Sequence, residues 1–320
     1  TYSDTITVAN NVPVVQSYLP TDSRVYRDQS IRLVIGVSDV EDGSSSLTVS
    51  VQQRAPNGDW SGSYLSSPWY NSSSSKWEAN FTPSVSAELG DYDIRVKVAD
   101  TDNNASAWST YSDNITVLNN LPTLQDYEVS AASVLRSSTI VIVFNTTDVE
   151  DAESSHSVAL EYRSPSGNWG TGYLSTVWYN GSQDHWEANF TPATSAELGA
   201  YKLRFQVNDT DGGSTGWSTY SDVITVTNNL PSLQNYALSA DEVLRTSTII
   251  IGVNSTDTED AKNSHAVSVE YRAPSGDWSS SALSAPWYNS ASSRWETNFT
   301  PPSSFELGDY DLRIRVNDTD

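Results

Sequence analysis

The residues best suited to chemistry are carboxylates, and they recur at a fixed interval. Asp39, Glu41 and Asp42 lie in a DVED segment, Asp148, Glu150 and Asp151 in a second, and Asp257, Glu259 and Asp260 in DTED. A DTD tripeptide supplies Asp100 and Asp102, then Asp209 and Asp211, then Asp318 and Asp320. Amide pairs accompany them: Asn10 and Asn11, Asn119 and Asn120, Asn228 and Asn229. Brought together, each set is an oxygen-only donor group of the kind Ca²⁺ takes, with six to eight oxygens at about 2.3–2.6 Å. Left without a counter-charge, such carboxylates repel one another. The competing reading is a set of solvated turns in which each Asp bonds its own backbone.

Other chemistry has less to work with. Paired carboxylates also hydrolyse glycosides, but a pair repeated at every joint of a string of domains sits in a poor place for a substrate cleft. There are three histidines and no cysteine, which excludes disulfides, thiolate metal sites and a cysteine nucleophile. His156 and His265 occupy equivalent positions where the first copy has Leu47, and His185 matches Lys76 and Arg294. A residue interchangeable in that way is no shared base or ligand. No GxSxG elbow accompanies the abundant serines. No catalytic residue is assigned, and an enzyme is not expected.

The elements that must position the carboxylates come from a threefold repeat. TYSDTITVANNVP at 1–13 returns as TYSDNITVLNNLP at 110–122 and TYSDVITVTNNLP at 219–231, a spacing of 109 residues each time. The eleven tryptophans fall into three columns of three and one of two, the last being Trp108 and Trp217. A period near 100 residues is the size of an independent domain rather than a solenoid unit. The repeat divides the chain into 1–10, a final strand from a preceding copy, then 11–119, 120–228 and 229–320. The last lacks its own final strand, since Asp320 corresponds to Asp102.

Within a copy the pattern is strand after strand. Tyr92-Asp-Ile94-Arg-Val96-Lys-Val98 alternates apolar and charged, and Trp77-Glu-Ala79-Asn-Phe81-Thr places Trp, Ala and Phe on one face. Ile31–Val37, Leu47–Gln53 and Asp113–Val117 read as further strands, while Ser84–Leu89 allows one short turn. About seven strands in roughly 100 residues predict an all-β tandem array of immunoglobulin-like antiparallel sandwiches. Tyr92, Tyr201 and Tyr310 follow a Leu-Gly turn at the start of the penultimate strand, the place of a tyrosine corner. In such a sandwich the DVED and DTD loops cluster at one pole, and the chain enters there too. Five residues, Leu118 to Pro122, separate one copy from the next, and the proline stiffens the joint. A rod is expected.

The stretch VNDTDGGSTGWSTYSDVITVTNNLP at 207–231 resembles the end-of-repeat pattern of cadherin-type and related immunoglobulin-like repeats of large microbial surface proteins: an acidic loop, a last strand, and an Asn-rich linker closed by proline. The resemblance implies calcium at each joint, held by Asp39, Glu41, Asp42, Asp100 and Asp102 and their 109-spaced counterparts with the linker amides. It also implies a role for Glu88, Glu197 and Glu306, four residues before the corner tyrosine, facing the following joint. Unlike that family, each linker here has Asn-Asn and no Asp.

Two surface features add to this. Trp69 and Tyr70, with Trp178, Tyr179, Trp287 and Tyr288, lie beside a turn and offer either packing or a sugar-stacking platform. Asn-X-Ser/Thr sequons begin at Asn71, Asn80, Asn104, Asn114, Asn145, Asn180, Asn189, Asn208, Asn254, Asn298 and Asn317. Asn80, Asn189 and Asn298 are in register on the outward face of the Trp-Glu strand, suited to carry N-linked glycans.

With 17 basic against 40 acidic residues the net charge is −23, which disfavours nucleic acid and anionic membranes as partners. No apolar run is long enough to span a bilayer, and residues 1–10 carry no signal-peptide pattern. The expectation is an extracellular, non-enzymatic structural segment of a surface fibre, stalk or adhesin. Its partners are flanking repeats or other copies, head to tail. Strand donation from Thr1–Val8 into the open third copy is one route, an excerpt of a longer array the other. The alternative function is a carbohydrate-binding region of a larger secreted enzyme.

Overall fold

In a computed structural model the described residues are 4–319, with Asp222 described for its backbone alone. The first copy folds into eight strands: β1 (Val14–Pro20), β2 (Arg24–Tyr26), β3 (Ile31–Ser38), β4 (Thr48–Arg54), β5 (Trp69–Asn71), β6 (Lys76–Phe81), β7 (Gly90–Ala99) and β8 (Ser109–Leu118). They form two sheets, β1-β3-β6-β5 and β2-β8-β7-β4, antiparallel except for the parallel β2–β8 pair. Alternation explains the layering, because every second residue of a strand faces the same way. Leu33, Ile35, Ala79 and Phe81 line the inner face of one sheet, and Tyr92, Ile94, Val96 and Ile115 that of the other, all fully buried. The fold is a tandem array of immunoglobulin-like β-sandwiches.

The second copy repeats the plan, with sheets built on Ile140–Thr147 paired to His185–Phe190 and on Gly199–Asn208 paired to Ser218–Thr227. In the third, Ile249–Thr256 pairs with Arg294–Phe299, and the opposite sheet has three strands, Trp278–Ser279, Ala266–Arg272 and Asp311–Asn317. Apart from the 3-10 turns Glu153–Ser155 and Lys262–Ser264, no helix occurs among the described residues. Accordingly none is long and apolar enough to cross a membrane. By contact the chain forms two compact units: Thr1–Asp126 with Asn145–Val158 and Gln206–Gly216, and Tyr127–Phe144 with Ala159–Phe205 and Trp217–Asp320. The acidic pole of the second copy therefore belongs with the first copy, and that of the third with the body of the second.

Several expectations change in detail. The short strands β1, β2 and β5 had no alternating signal of their own. They form because longer neighbours offer an edge: β1 against β3, β2 against β8, β5 against β6. Glu78, placed on the outward face of β6, is nonetheless 4% exposed, because β5 lays Asn71 over it and Arg32 pairs with it. Of the predicted strand Thr1–Val8, Thr1–Ser3 lie outside the described residues and Asp4–Val8 form no strand.

The tyrosine corner is present in all three copies. The hydroxyls of Tyr92, Tyr201 and Tyr310 donate to the carbonyls of Glu88, Glu197 and Glu306 at 3.0, 2.9 and 3.0 Å. Next to the first corner the β7–β8 register slips between Tyr92 and Ile94. There the carboxylate of Asp93 accepts the Asp113 backbone N–H at 2.9 Å and the Arg54 Nε at 3.0 Å. Burial pushes the Asp93 carboxyl up, but the Arg54 bond and the Asp113 N–H outweigh it and hold it below its ordinary 3.8. A depressed carboxyl stabilises the fold above its ordinary value and loses that contribution as pH falls through the depressed one. Acid unfolding of the first copy, followed by circular dichroism, should thus lose part of its pH dependence below about pH 4 in Asp93→Asn. An unchanged profile would remove Asp93 from the acid transition.

Candidate functional site at the repeat joints

The DVED loop follows β3 and the DTD loop follows β7, so both leave the sandwich at one pole. Hydrogen bonds tie them together. Asp42 accepts the Thr101 N–H at 3.0 Å and its hydroxyl, and Asp151 accepts the Thr210 hydroxyl at 2.6 Å. Asp260 takes the same part with Thr319. The entering amides close the pole. Asn10, Asn119 and Asn228 donate through Nδ2 to Asp100, Asp209 and Asp318 at 2.8, 2.7 and 2.9 Å. The following amides, Asn11, Asn120 and Asn229, donate to Glu41, Glu150 and Glu259 through the side chain and more weakly through the backbone. The predicted convergence of loops and linker is what the fold builds.

Within the first compact unit the joint between copies one and two is bonded on both sides. Asn120 Nδ2 reaches the Arg27 carbonyl at 3.0 Å as well as Glu150 at 2.7 Å. Arg27, 7% exposed, donates through Nε to the Ala87 carbonyl at 2.7 Å and through Nη1 to Asp211. Within the second unit the pattern returns: Asn229 Nδ2 bonds the Arg136 carbonyl at 3.0 Å and Glu259 at 2.6 Å, and Arg136 Nε bonds the Ala196 carbonyl at 2.8 Å. Two bonds from one linker amide fix that residue to the copies on both sides. The sequence reading missed this arginine, although Arg27, Arg136 and Arg245 are spaced by 109 residues.

The electrostatics sort the acidic residues into two groups. Asp100, Asp209, Asp42 and Asp151 are already supplied with N–H and O–H donors, and Asp209 also accepts from Asp211 and Gly213 backbone N–H groups. The leading aspartate of each loop is different. In Asp39, Asp148 and Asp257 one oxygen accepts the N–H groups two and three residues on, while the other oxygen is buried without a partner. Glu150 Oε2 and Asn119 Oδ1 at the first joint are likewise buried and unpartnered, and so are Glu259 Oε2 and Asn228 Oδ1 at the second. Burial and direct contact with Asp148 push the Glu150 carboxyl above its ordinary value. Burial also pushes Asp148 upward, but its contact with Glu150 and its bonds to the Glu150 and Asp151 backbone N–H groups hold it low. Two touching carboxyl groups with orphaned oxygens repel one another when both are charged.

Other predicted ligands lie elsewhere. Glu88, Glu197 and Glu306 cap their own copy's turn, accepting from Asn57, Ser166 and Ser275. Asp102 is exposed, and Asp320 lies outside the described residues. Among the described residues no three His, Asp or Glu side chains converge as a ready-made cluster. His156 and His265 are buried, each bonding a hydroxyl through Nδ1: Thr146 at 2.8 Å and Ser255 at 2.6 Å. In the first copy the equivalent Leu47 is buried in the hydrophobic core instead.

The aromatic candidates are packed. Tyr70, Tyr179 and Tyr288 meet Trp77, Trp186 and Trp295 edge to face at 5.9, 5.4 and 5.8 Å. Trp69 and Trp178 are half-buried, and Trp287 is 36% exposed. A second aromatic feature was not anticipated. Arg95 stacks between Trp60 and Trp108, each 4.4 Å away, and Arg204 stacks between Trp169 at 4.6 Å and Trp217 at 4.2 Å. Guanidinium faces over tryptophan rings are attractive, so these columns brace the outer face of a sheet. Of the sequons, Asn71 and Asn180 spend their amide nitrogen on Glu78 and Glu187. Asn80, Asn189 and Asn298 are half-buried.

No family model matches the chain, and no curated protein does. Solved structures similar to it include titin domains Z1 and Z2 crystallised with telethonin, at 13% identity over 69% of this chain and 100% of that one, TM-score 0.34. The Escherichia coli adhesin FdeC is similar at 12% identity over 100% and 96%, TM-score 0.29. Fibronectin(III)-like modules of Clostridium thermocellum CbhA are similar at 13% identity over 68% and 95%, TM-score 0.25.

Proposed function

We propose that this chain is a non-enzymatic structural segment of an extracellular surface fibre, stalk or adhesin. Its immunoglobulin-like sandwiches are held in fixed sequence by Asn-Asn joints that calcium reinforces. The observation that carries the reading is the linker amide bonded on both sides, Asn120 to the Arg27 carbonyl and to Glu150, repeated by Asn229. A joint that spends its polar groups this way resists bending, which is what a spacer requires and a loose tether does not.

Calcium would be held at the first joint by Asp148, Glu150 and Asn119, and at the second by Asp257, Glu259 and Asn228, whose buried oxygens have no donors of their own. Asp39 leads the equivalent set at the first pole. Bound there, the ion neutralises touching carboxylates. The protein's own part is to hold the loops together through Asp-Thr and Asn-Asp bonds whether or not the ion is present. N-linked glycans on Asn80, Asn189 and Asn298 would suit a secreted fibre.

Small-angle scattering tests the reading. Asn120→Ala with Asn229→Ala should broaden the distance distribution and raise the flexible component, while far-ultraviolet dichroism stays that of the parent. A parent already as flexible as the variant would overturn the spacer function.

A further inference from the structure

The first and second copies each bring a tyrosine of their first strand against a tyrosine of their last. Tyr18 of β1 stacks on Tyr111 of β8, with ring centroids 4.4 Å apart and planes 25° from parallel. In the second copy Tyr127, on the strand Thr123–Val129, meets Tyr220, on Ser218–Thr227, also at 4.4 Å. Both pairs join strands of opposite sheets. All four rings are half-buried, so solvent reaches them from one side. In both copies the partners are 93 residues apart in sequence.

Hydrogen bonding does not account for the first pair. The corner tyrosines spend their hydroxyls on backbone carbonyls, whereas the Tyr18 hydroxyl is buried with no partner, although a buried tyrosine hydroxyl usually finds one. What each pair offers is two phenol rings in contact, and phenols in contact couple when oxidised. The rest of the chain leaves that chemistry little competition. It has no cysteine and no methionine, the sulfur side chains that oxidants attack readily. Trp60, Trp108, Trp169 and Trp217 each lie against an arginine guanidinium, and a positive charge beside a ring opposes loss of an electron from it. Antibody-type sandwiches tie their two sheets with a disulfide. This chain cannot make one.

We propose that Tyr18–Tyr111 and Tyr127–Tyr220 are sites of oxidative cross-linking, each becoming a dityrosine that ties the first strand of a copy to its last. The oxidant is hydrogen peroxide acting through a one-electron oxidant of the haem-peroxidase class. Each phenol gives up one electron and one proton, and the two rings then form a carbon–carbon bond between positions ortho to oxygen. The hydrogen on each coupled carbon moves to the oxygen and restores the phenol. The two electrons and two protons reduce one peroxide to two waters. In the first copy the bond encloses the 93 residues from β1 to β8, a stretch that would extend to at most about 320 Å when unfolded. Tension entering at β1 and leaving at β8 then passes through the bond instead of unravelling the sandwich. This deepens the fibre reading and rests on it only for the tension the bond resists.

The test treats the chain of residues 1–320, in dilute solution, with hydrogen peroxide and a haem peroxidase. The expected product is a monomer four hydrogens lighter, whose digest joins the Tyr18 peptide to the Tyr111 peptide and the Tyr127 peptide to the Tyr220 peptide. A pair held in contact reacts far faster than two free phenols, so Tyr18→Phe with Tyr127→Phe should lower the dityrosine fluorescence of the monomer at least about fivefold. Tyr18→Phe removes a hydroxyl that bonds nothing and keeps the ring, so the fold is retained, which far-ultraviolet dichroism checks. Tyr26→Phe is the control: it removes a phenol that is 48% exposed and should leave the yield unchanged. A monomer without dityrosine, or coupling only between chains through exposed phenols such as Tyr26, would overturn the assignment. So would coupling confined to Tyr162 and Tyr173, a stacked pair 4.8 Å apart whose equivalents include Gln53 and Ala282 in the other copies. None of the substituted residues lies in a linker, so each of these failures leaves the scattering test of the joints standing.

Discussion

Arg27→Ala should destabilise the first unit by about 3 kcal/mol, the larger of two effects expected at the joint. A hydrogen bond to a charged group contributes about 1.5–3 kcal/mol, and breaking a buried pair costs more because the remaining group keeps its desolvation penalty. Arg27 makes two such bonds from an almost fully buried position, to the Ala87 carbonyl and to Asp211. Asp211 is 32% exposed at its side chain, which moderates the ion-pair share. For a unit of this size the loss corresponds to a fall in melting temperature of about 6–12 °C. The control is Arg272→Ala, whose partner Asp311 is exposed, where the change should stay below about 1 kcal/mol. A cycle with Asp211→Ala isolates the cross-joint pair: additivity would mean that Arg27 acts only through Ala87. Thermal denaturation of the parent, the two single variants, their double variant and the control supplies all the numbers.

Calcium at one hundred times its dissociation constant should stabilise each joint by about 2.7 kcal/mol, since a ligand that binds only the folded state adds RT ln(1 + [L]/Kd). The melting temperature in calcium should therefore exceed that in chelator by about 10 °C for the transition that includes a joint. Glu150→Gln with Glu259→Gln should abolish most of that difference. Each leaves the Asn120 or Asn229 contact an acceptor oxygen but removes one of two touching charges. The same substitutions should raise stability in chelator, because the carboxyl pair is then relieved of its repulsion. Asp42→Asn is the contrasting variant: Asp42 is already supplied by Thr101, so its loss weakens the loop without changing the calcium increment. Equal melting in calcium and chelator would return these loops to solvated turns.

Much of the architecture was legible because a strand's pattern is local. Tyr92 to Val98 and Trp77 to Phe81 alternate in their own letters, and the observed burial follows that alternation except at Trp77, Glu78 and Asp93. The tyrosine corner was legible from a Leu-Gly turn set before an alternating run. Strands β1, β2 and β5 were not, since three to seven residues with a mixed pattern become strands only when a neighbouring edge is present. Glu78 defeats the simple rule in the same way: its place on β6 points outward, but Asn71 and Arg32 arrive from elsewhere and cover it.

The sequence by itself determined the number of copies, their β-sandwich class, and which loops share a pole, because period, alternation and turn chemistry are all written along the chain. Only the tertiary structure decided which carboxylates at that pole are spent on protein donors and which keep buried oxygens without partners. It also decided that Arg27 and Arg136 belong to the joints. Those are properties of distance between residues about 30, 60 or 90 positions apart, and hydrogen-bond satisfaction is settled there by packing rather than by neighbours in sequence.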